Sequence, residues 1–115
     1  MRLKSEIWVK AYIRYCASNG APAMVVRRGQ GDGGAVFIKI NLLDGTVHLY
    51  GPAPAGLDPS ATDRIWVRCL GDGCVQEADA DGYLQRQTEF DPDIWVIEVE
   101  DREGRNFLGD AVSEN

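Results

Sequence analysis

Cysteine and histidine are scarce in this 115-residue chain, which has three of the first and one of the second. Cys16, Cys69 and Cys74 are an odd and sparse set, which excludes a disulfide-stapled secreted scaffold. Their apolar neighbours, as in Val67-Arg68-Cys69-Leu70, predict buried, reduced thiols of a cytosolic protein. With His48 they number four potential zinc ligands, but four residues separate Cys69 from Cys74 and no C-x-x-C knuckle exists. A Cys–His nucleophile likewise lacks any local signature. No metal and no cofactor is therefore expected. Long hydrophobic runs are also missing. No uninterrupted apolar stretch approaches the ~20 residues needed to span a bilayer, and Met1-Arg2-Leu3-Lys4-Ser5-Glu6 has no apolar core of a signal peptide. The expected location is cytoplasmic, away from membranes. Basic charge is in deficit, with twelve Lys and Arg against eighteen Asp and Glu and a net charge of −6. That balance disfavours nucleic acid as a partner.

The chain does have enough apolar residues, 44% with 26% charged, to build one ordinary core over residues 1–115. Its charge is uneven: residues 1–48 carry +4 and residues 49–115 carry −10. Such polarity either steers a partner or is neutralised by folding one half against the other.

The spacing of Trp8, Val9, Tyr12, Ile13 and Cys16 predicts a helix over residues 5–18, with Ser5 as N-cap and Asn19-Gly20 as stop. Strands are expected at Ala23–Arg28, Ala35–Asn41, Thr46–Tyr50 and Arg64–Leu70. The glycine cluster Gly29–Gly34 reads as a mobile hairpin tip. Asp44-Gly45 reads as a two-residue type I′ turn. Gly51–Ser60, with three prolines, reads as an extended surface loop. A second helix is expected over Glu77–Asp91, its first turn crowded with acids that the helix dipole favours, and Asp91-Pro92 ends it. Ile94–Glu100 is a further strand, and Asn106–Leu108 a short final one. The order αββββαβ(β) describes an α+β single domain with a mainly antiparallel sheet and two helices.

Three stretches carry a resemblance: Arg2-Leu3-Lys4-Ser5-Glu6-Ile7-Trp8-Val9, then Leu43-Asp44-Gly45-Thr46 with Leu49-Tyr50-Gly51-Pro52-Ala53-Pro54, and Phe90-Asp91-Pro92-Asp93-Ile94-Trp95-Val96-Ile97-Glu98-Val99-Glu100-Asp101. Together they resemble a small uncharacterised bacterial family, a domain of unknown function found mainly in alphaproteobacteria. The resemblance spans nearly the whole chain and implies a free-standing bacterial protein. It implies no activity and no catalytic residue.

Several motifs invite a function and fail on context. Gly29-Gln30-Gly31-Asp32-Gly33-Gly34 spells G-x-G-x-x-G, but a dinucleotide site needs a helix next, and a strand is expected. The kinase form lacks its H-R-D and D-F-G partners. Glu77-Ala78-Asp79-Ala80-Asp81-Gly82 imitates half an EF-hand, yet Thr88 stands where the bidentate Glu belongs. Pro92-Asp93 followed by Glu98-Val99-Glu100 resembles the Asp and E-x-K of metal-dependent nucleases, but Glu100 stands where the lysine would be. Glu98 and Glu100 share one strand face, which could hold a hard cation such as magnesium. The plainer reading pairs them with Arg64, Arg68 or Lys39.

Strand alternation is expected to send Val36, Ile38, Ile40, Val47, Leu49, Ile65, Val67, Cys69, Trp95, Ile97 and Val99 to one apolar face. The other face then gathers Phe37, Lys39, His48, Tyr50, Arg64, Trp66, Arg68, Glu98 and Glu100. Of these, Lys39, His48, Tyr50, Trp66, Arg68, Glu98 and Glu100 are the candidate binding residues, unless the first helix covers them. The expected function is a non-catalytic cytosolic binding or regulatory module that meets a protein partner. The alternative is a small metal-assisted hydrolase using Glu98 and Glu100, with Lys39, Arg68 or His48 as electrostatic partners.

Overall fold

Val9, Tyr12 and Cys16 recur at three- and four-residue steps and form the buried stripe of helix α1 (Ser5–Ser18). The computed structural model describes residues 3–54 and 64–113. Gly20, at φ +82°, stops the helix in the left-handed region that glycine adopts without strain. Ser5 does not cap α1. Lys4 holds that position without a side-chain bond, and the buried Ser5 Oγ donates to the Gly34 carbonyl at 2.5 Å.

Strands β1 (Ala23–Arg27), β2 (Val36–Asn41), β3 (Thr46–Pro52), β4 (Trp66–Arg68) and β5 (Val75–Gln76) follow, then helix α2 (Glu77–Phe90), strand β6 (Trp95–Glu100) and a 3-10 turn at Gly109–Ala111. The strand expected at Arg64–Leu70 is cut to three residues. The chain leaves the sheet after it and rejoins beside β3 as β5. Asn106–Leu108 is not a strand, because Asn106 turns back to accept from the Leu108 N–H. Part of the expected Gly51–Ser60 loop, residues 55–60, lies outside the described residues.

The sheet runs β1-β6-β2-β3-β4, with β5 also on β3. Among the named strands, each pairing is antiparallel except β2 with β6, so the mainly antiparallel α+β sheet has a parallel pair at its centre. β1 and β2 are therefore not a hairpin, and Gly29–Gly34 is not its tip. The glycine segment is a packed crossover. Gln30 N–H donates to the Asp93 carbonyl at 2.9 Å, and a Cβ on Gly29 or Gly34 would fall 2.2 Å from that same oxygen. The α1 amides of Ser5 and Glu6 donate to the Asp32 and Gly31 carbonyls at 3.3 and 2.9 Å. Those helix-end donors are already engaged, so the loop does not present them to a phosphate.

Two apolar clusters sandwich the sheet. Val9, Tyr12 and Cys16 of α1 pack on Ile38, Ile40, Tyr50, Trp66, Trp95 and Ile97. Ala80 and Leu84 of α2 pack on Phe37, Val47, Leu49 and Val96. This corrects the expected face assignment, and the cause is one residue. Leu42 N–H donates to the Thr46 carbonyl at 3.1 Å, leaving a three-residue loop Leu43-Asp44-Gly45, with Leu43 and Gly45 at φ +63° and +90°. A two-residue type I′ turn would have shifted the pairing by one and reversed every β3 side chain. The observed register, Ile38 opposite Tyr50 and Ile40 opposite His48, puts Tyr50 and His48 on the α1 face. Val47, Leu49 and Cys69 go to the α2 face instead of joining Ile38.

Candidate functional site

The same register divides the seven candidate residues between two faces. Lys39, Glu98 and Glu100 lie toward α2, because Lys39 pairs with Glu98 across the central parallel strands. His48, Tyr50, Trp66 and Arg68 lie toward α1, because Tyr50 stands opposite Arg68 and Pro52 opposite Trp66. They do not form one patch.

On the α2 face, Lys39 is interior to the sheet, its side chain 7% exposed, and it ends among carboxylates. Its Nζ lies 2.8 Å from Glu77 Oε2, 2.9 Å from Asp81 Oδ1 and 3.3 Å from Glu98 Oε1. Asn41 Nδ2 adds a donor to Glu98 Oε2 at 3.2 Å. Burial pushes the ammonium's pKa down, but the hydrogen bonds to Glu77 and Asp81 and the charge of Glu98 outweigh it and hold it above the ordinary lysine range. The amine stays protonated at neutral pH and is neither nucleophile nor base. The ammonium also occupies the position between Glu98 and the helix acids that a hard cation would need. Among the described residues, no group of three or more His, Cys, Asp or Glu side chains is arranged to hold a metal ion. Glu77 and Asp81 were legible only as a helix start. Their i, i+4 spacing aims both at a lone lysine on the strand beneath, and that spacing is the signal that could have found them.

On the α1 face, helix α1 covers Tyr50 and Trp66, which are 1% and 2% exposed. Trp66 Nε1 donates to the Val36 carbonyl at 3.0 Å, and its ring lies 4.6 Å from that of Trp8. The Tyr50 hydroxyl accepts from Asn106 Nδ2 at 3.2 Å. At the rim, the exposed Arg68 lies 5.2 Å above the Tyr50 ring and donates to His48 Nδ1 at 2.9 Å. Partial burial, then the Arg68 charge, lowers the His48 pKa, so the imidazole is a neutral acceptor for the guanidinium. A second clasp was missed in the sequence: Arg105 grips Asp101 through Nε and Nη2, both at 3.0 Å.

The thiols differ from expectation. Cys16 is buried, Cys69 half-buried and Cys74 exposed. The half EF-hand is helical, since Glu77 to Gly82 are the opening turns of α2. Large apolar side chains collect outside both clusters. Leu3, Ile7 and Tyr15 on or beside α1, Met24, Val25 and Val26 on β1, and Phe90 at the end of α2 are all exposed. Among the described residues, no helix is long and apolar enough to cross a membrane.

A family model described as "Protein of unknown function (DUF1491)" matches residues 3–109. Solved structures agree over the whole chain. The crystal structure of a DUF1491 family protein from Caulobacter crescentus CB15 is 38% identical, with 99% of this chain and 100% of that chain covered and a TM-score of 0.81. A solution structure of a DUF1491 family protein from the same organism is 39% identical, with 99% of each chain covered and a TM-score of 0.81. A protein of A. tumefaciens, also solved in solution, is 34% identical, with 100% of this chain and 98% of that chain covered and a TM-score of 0.82. No curated protein matches.

Proposed function

We propose, from the premise that the chain belongs to the DUF1491 family of proteins of unknown function, that it is a non-catalytic cytoplasmic module that binds a protein partner through its surface. The observation that carries this reading is the placement of its apolar side chains. Ile7 on α1 and Met24, Val25 and Val26 on β1 stay exposed, and large apolar side chains left on the surface in this number support contact with another macromolecule. The polar groups that suggested chemistry are engaged in holding the fold. Lys39 ties α2 to the sheet, and Tyr50 and Trp66 anchor β3 and β4 beneath α1.

Affinity capture from the native cytoplasm with quantitative mass spectrometry tests the reading. The expected result is a partner retained by the unaltered chain and by Arg68→Ala, and lost from the Ile7→Glu/Val26→Glu double variant at unchanged melting temperature. Equal retention by the double variant would sink it. The hydrolase alternative predicts specific NMR shifts at Glu98 and Glu100 on adding magnesium or manganese. The expected result is none, because Lys39 fills the cation position.

A further inference from the structure

We propose that the free edge of β1, flanked by the basic side of α1, takes up an extended acidic segment of another protein as an additional strand. The proposal rests on the binding-module reading above and gives it a place and a ligand chemistry.

Among the described residues, β1 closes the sheet on one side and has β6 as its one strand neighbour. Glu100 N–H donates to the Pro22 carbonyl at 2.9 Å, so strand alternation turns the main-chain groups of Ala23 and Val25 away from β6. Met24, Val25 and Val26 are exposed, and alternation spreads them over both faces. The strand contains neither a lysine nor a proline to blunt it. Its guards are the terminal Arg27 and the register shift between Val25 and Arg27, which confines a clean ladder to Ala23–Val25. An added strand there would use main-chain hydrogen bonds for affinity and alternate side chains for selectivity.

Charge decides what that strand is. Trp8 and Tyr15 point to Trp66 and Phe107, on the far side of α1. The row Glu6, Lys10, Arg14 at i, i+4 spacing lies away from that side, and at its start Glu6 Oε2 meets Nη2 of Arg28, the residue after β1, at 3.1 Å. Lys10 shares that same carboxylate at 3.2 Å. Among the described residues, Arg14 has no carboxylate partner. Lys10 and Arg28 therefore outnumber Glu6 where α1 meets the end of β1, with Arg14 one turn further along the helix, in a molecule of net charge −6. Screening over ~8 Å at physiological ionic strength lets this local surplus govern docking. Edge-to-edge pairing of two copies about Val25 would bring two such flanks together, like charge to like. An acidic segment neutralises them, so the geometry favours it over a second copy.

The test is an NMR titration of the full chain with an end-blocked peptide alternating valine and glutamate, and with its valine–lysine counterpart. The expected result is saturable shifts at the amides of Ala23, Met24 and Val25 with the acidic peptide alone. Val25→Pro, which removes an outward N–H, and Lys10→Glu/Arg14→Glu should each weaken binding by about tenfold or more. Should the proline variant fail to fold, the charge-reversal variant decides. Shifts confined to other surfaces, equal binding of the lysine peptide, or a β1-mediated dimer that the acidic peptide does not displace would overturn the proposal. Failure here with a silent magnesium titration leaves the binding-module reading intact. Magnesium-dependent shifts at Glu98 and Glu100 strike that reading without touching the edge.

Discussion

Lys39 is the residue whose loss should be felt most widely, because it cancels repulsion among three carboxylates carried by two elements. Lys39→Met leaves Glu77, Asp81 and Glu98 facing one another. Breaking a buried pair typically costs ~3–5 kcal/mol, and the partial exposure of Glu77 and Asp81 reduces this. The expected loss is about 2 kcal/mol in urea unfolding at neutral pH, partly recovered by adding Glu98→Gln. The pH dependence has a definite sign. The folded pKa lies above the ordinary value, so the contribution is complete below about pH 10.4 and is lost as pH rises through the folded pKa. The gap between the native chain and Lys39→Met should stay constant from neutral pH to that point and close above it. A gap that closes on acidification below neutrality, with the carboxylates still ionised, would contradict the assignment.

At the scale of elements, the glycine crossover and the β2–β3 turn set the sheet. Gly34→Ala drives a Cβ to within 2.2 Å of the Asp93 carbonyl oxygen, with backbone on both sides, and should cost about 3 kcal/mol or prevent folding. Gly33→Ala, whose Cβ would meet only the Gln30 side-chain oxygen at 4.0 Å, should cost less than about 0.5 kcal/mol. Thermal unfolding of the two variants checks this, and equal losses would make the segment the loose tip that its composition suggested. Both helices were legible from residue spacing, α1 to its ends and α2 to within one residue. The strand pairing was not. A G-rich run between two strands reads the same whether it closes a hairpin or crosses to a distant strand, and only the carbonyl of Asp93 tells them apart. The seven candidate residues were legible as polar and aromatic groups on strands. Their division between faces hung on whether Leu43 belongs to the turn, a difference that the Asp44-Gly45 dipeptide does not encode.

Across the whole molecule, the three thiols report on depth. Cys74 should react with a thiol reagent at once in native buffer, Cys69 more slowly, and Cys16 only as fast as the chain unfolds globally, because it sits at 0% exposure between α1 and the sheet. Burial also raises the Cys16 pKa and keeps it from forming the reactive thiolate. Mass spectrometry of a labelling time course resolves the three rates. Cys16 labelling that keeps pace with Cys74 would show that α1 lifts from the sheet on its own.

The parallel pairing of β2 with β6 joins residues 36–41 to residues 95–100, and among the described residues β1 pairs with β6 alone. As the chain grows on a ribosome, α1, β1, the β2–β3 hairpin and α2 all emerge before the strand that unites them. Until Trp95–Glu100 arrives, the inner edge of β2 is unpaired and β1 has nothing to join. Nucleation must therefore wait for a late, long-range contact, and during that interval two bare strand edges are open to capture by chaperones or by neighbouring nascent chains.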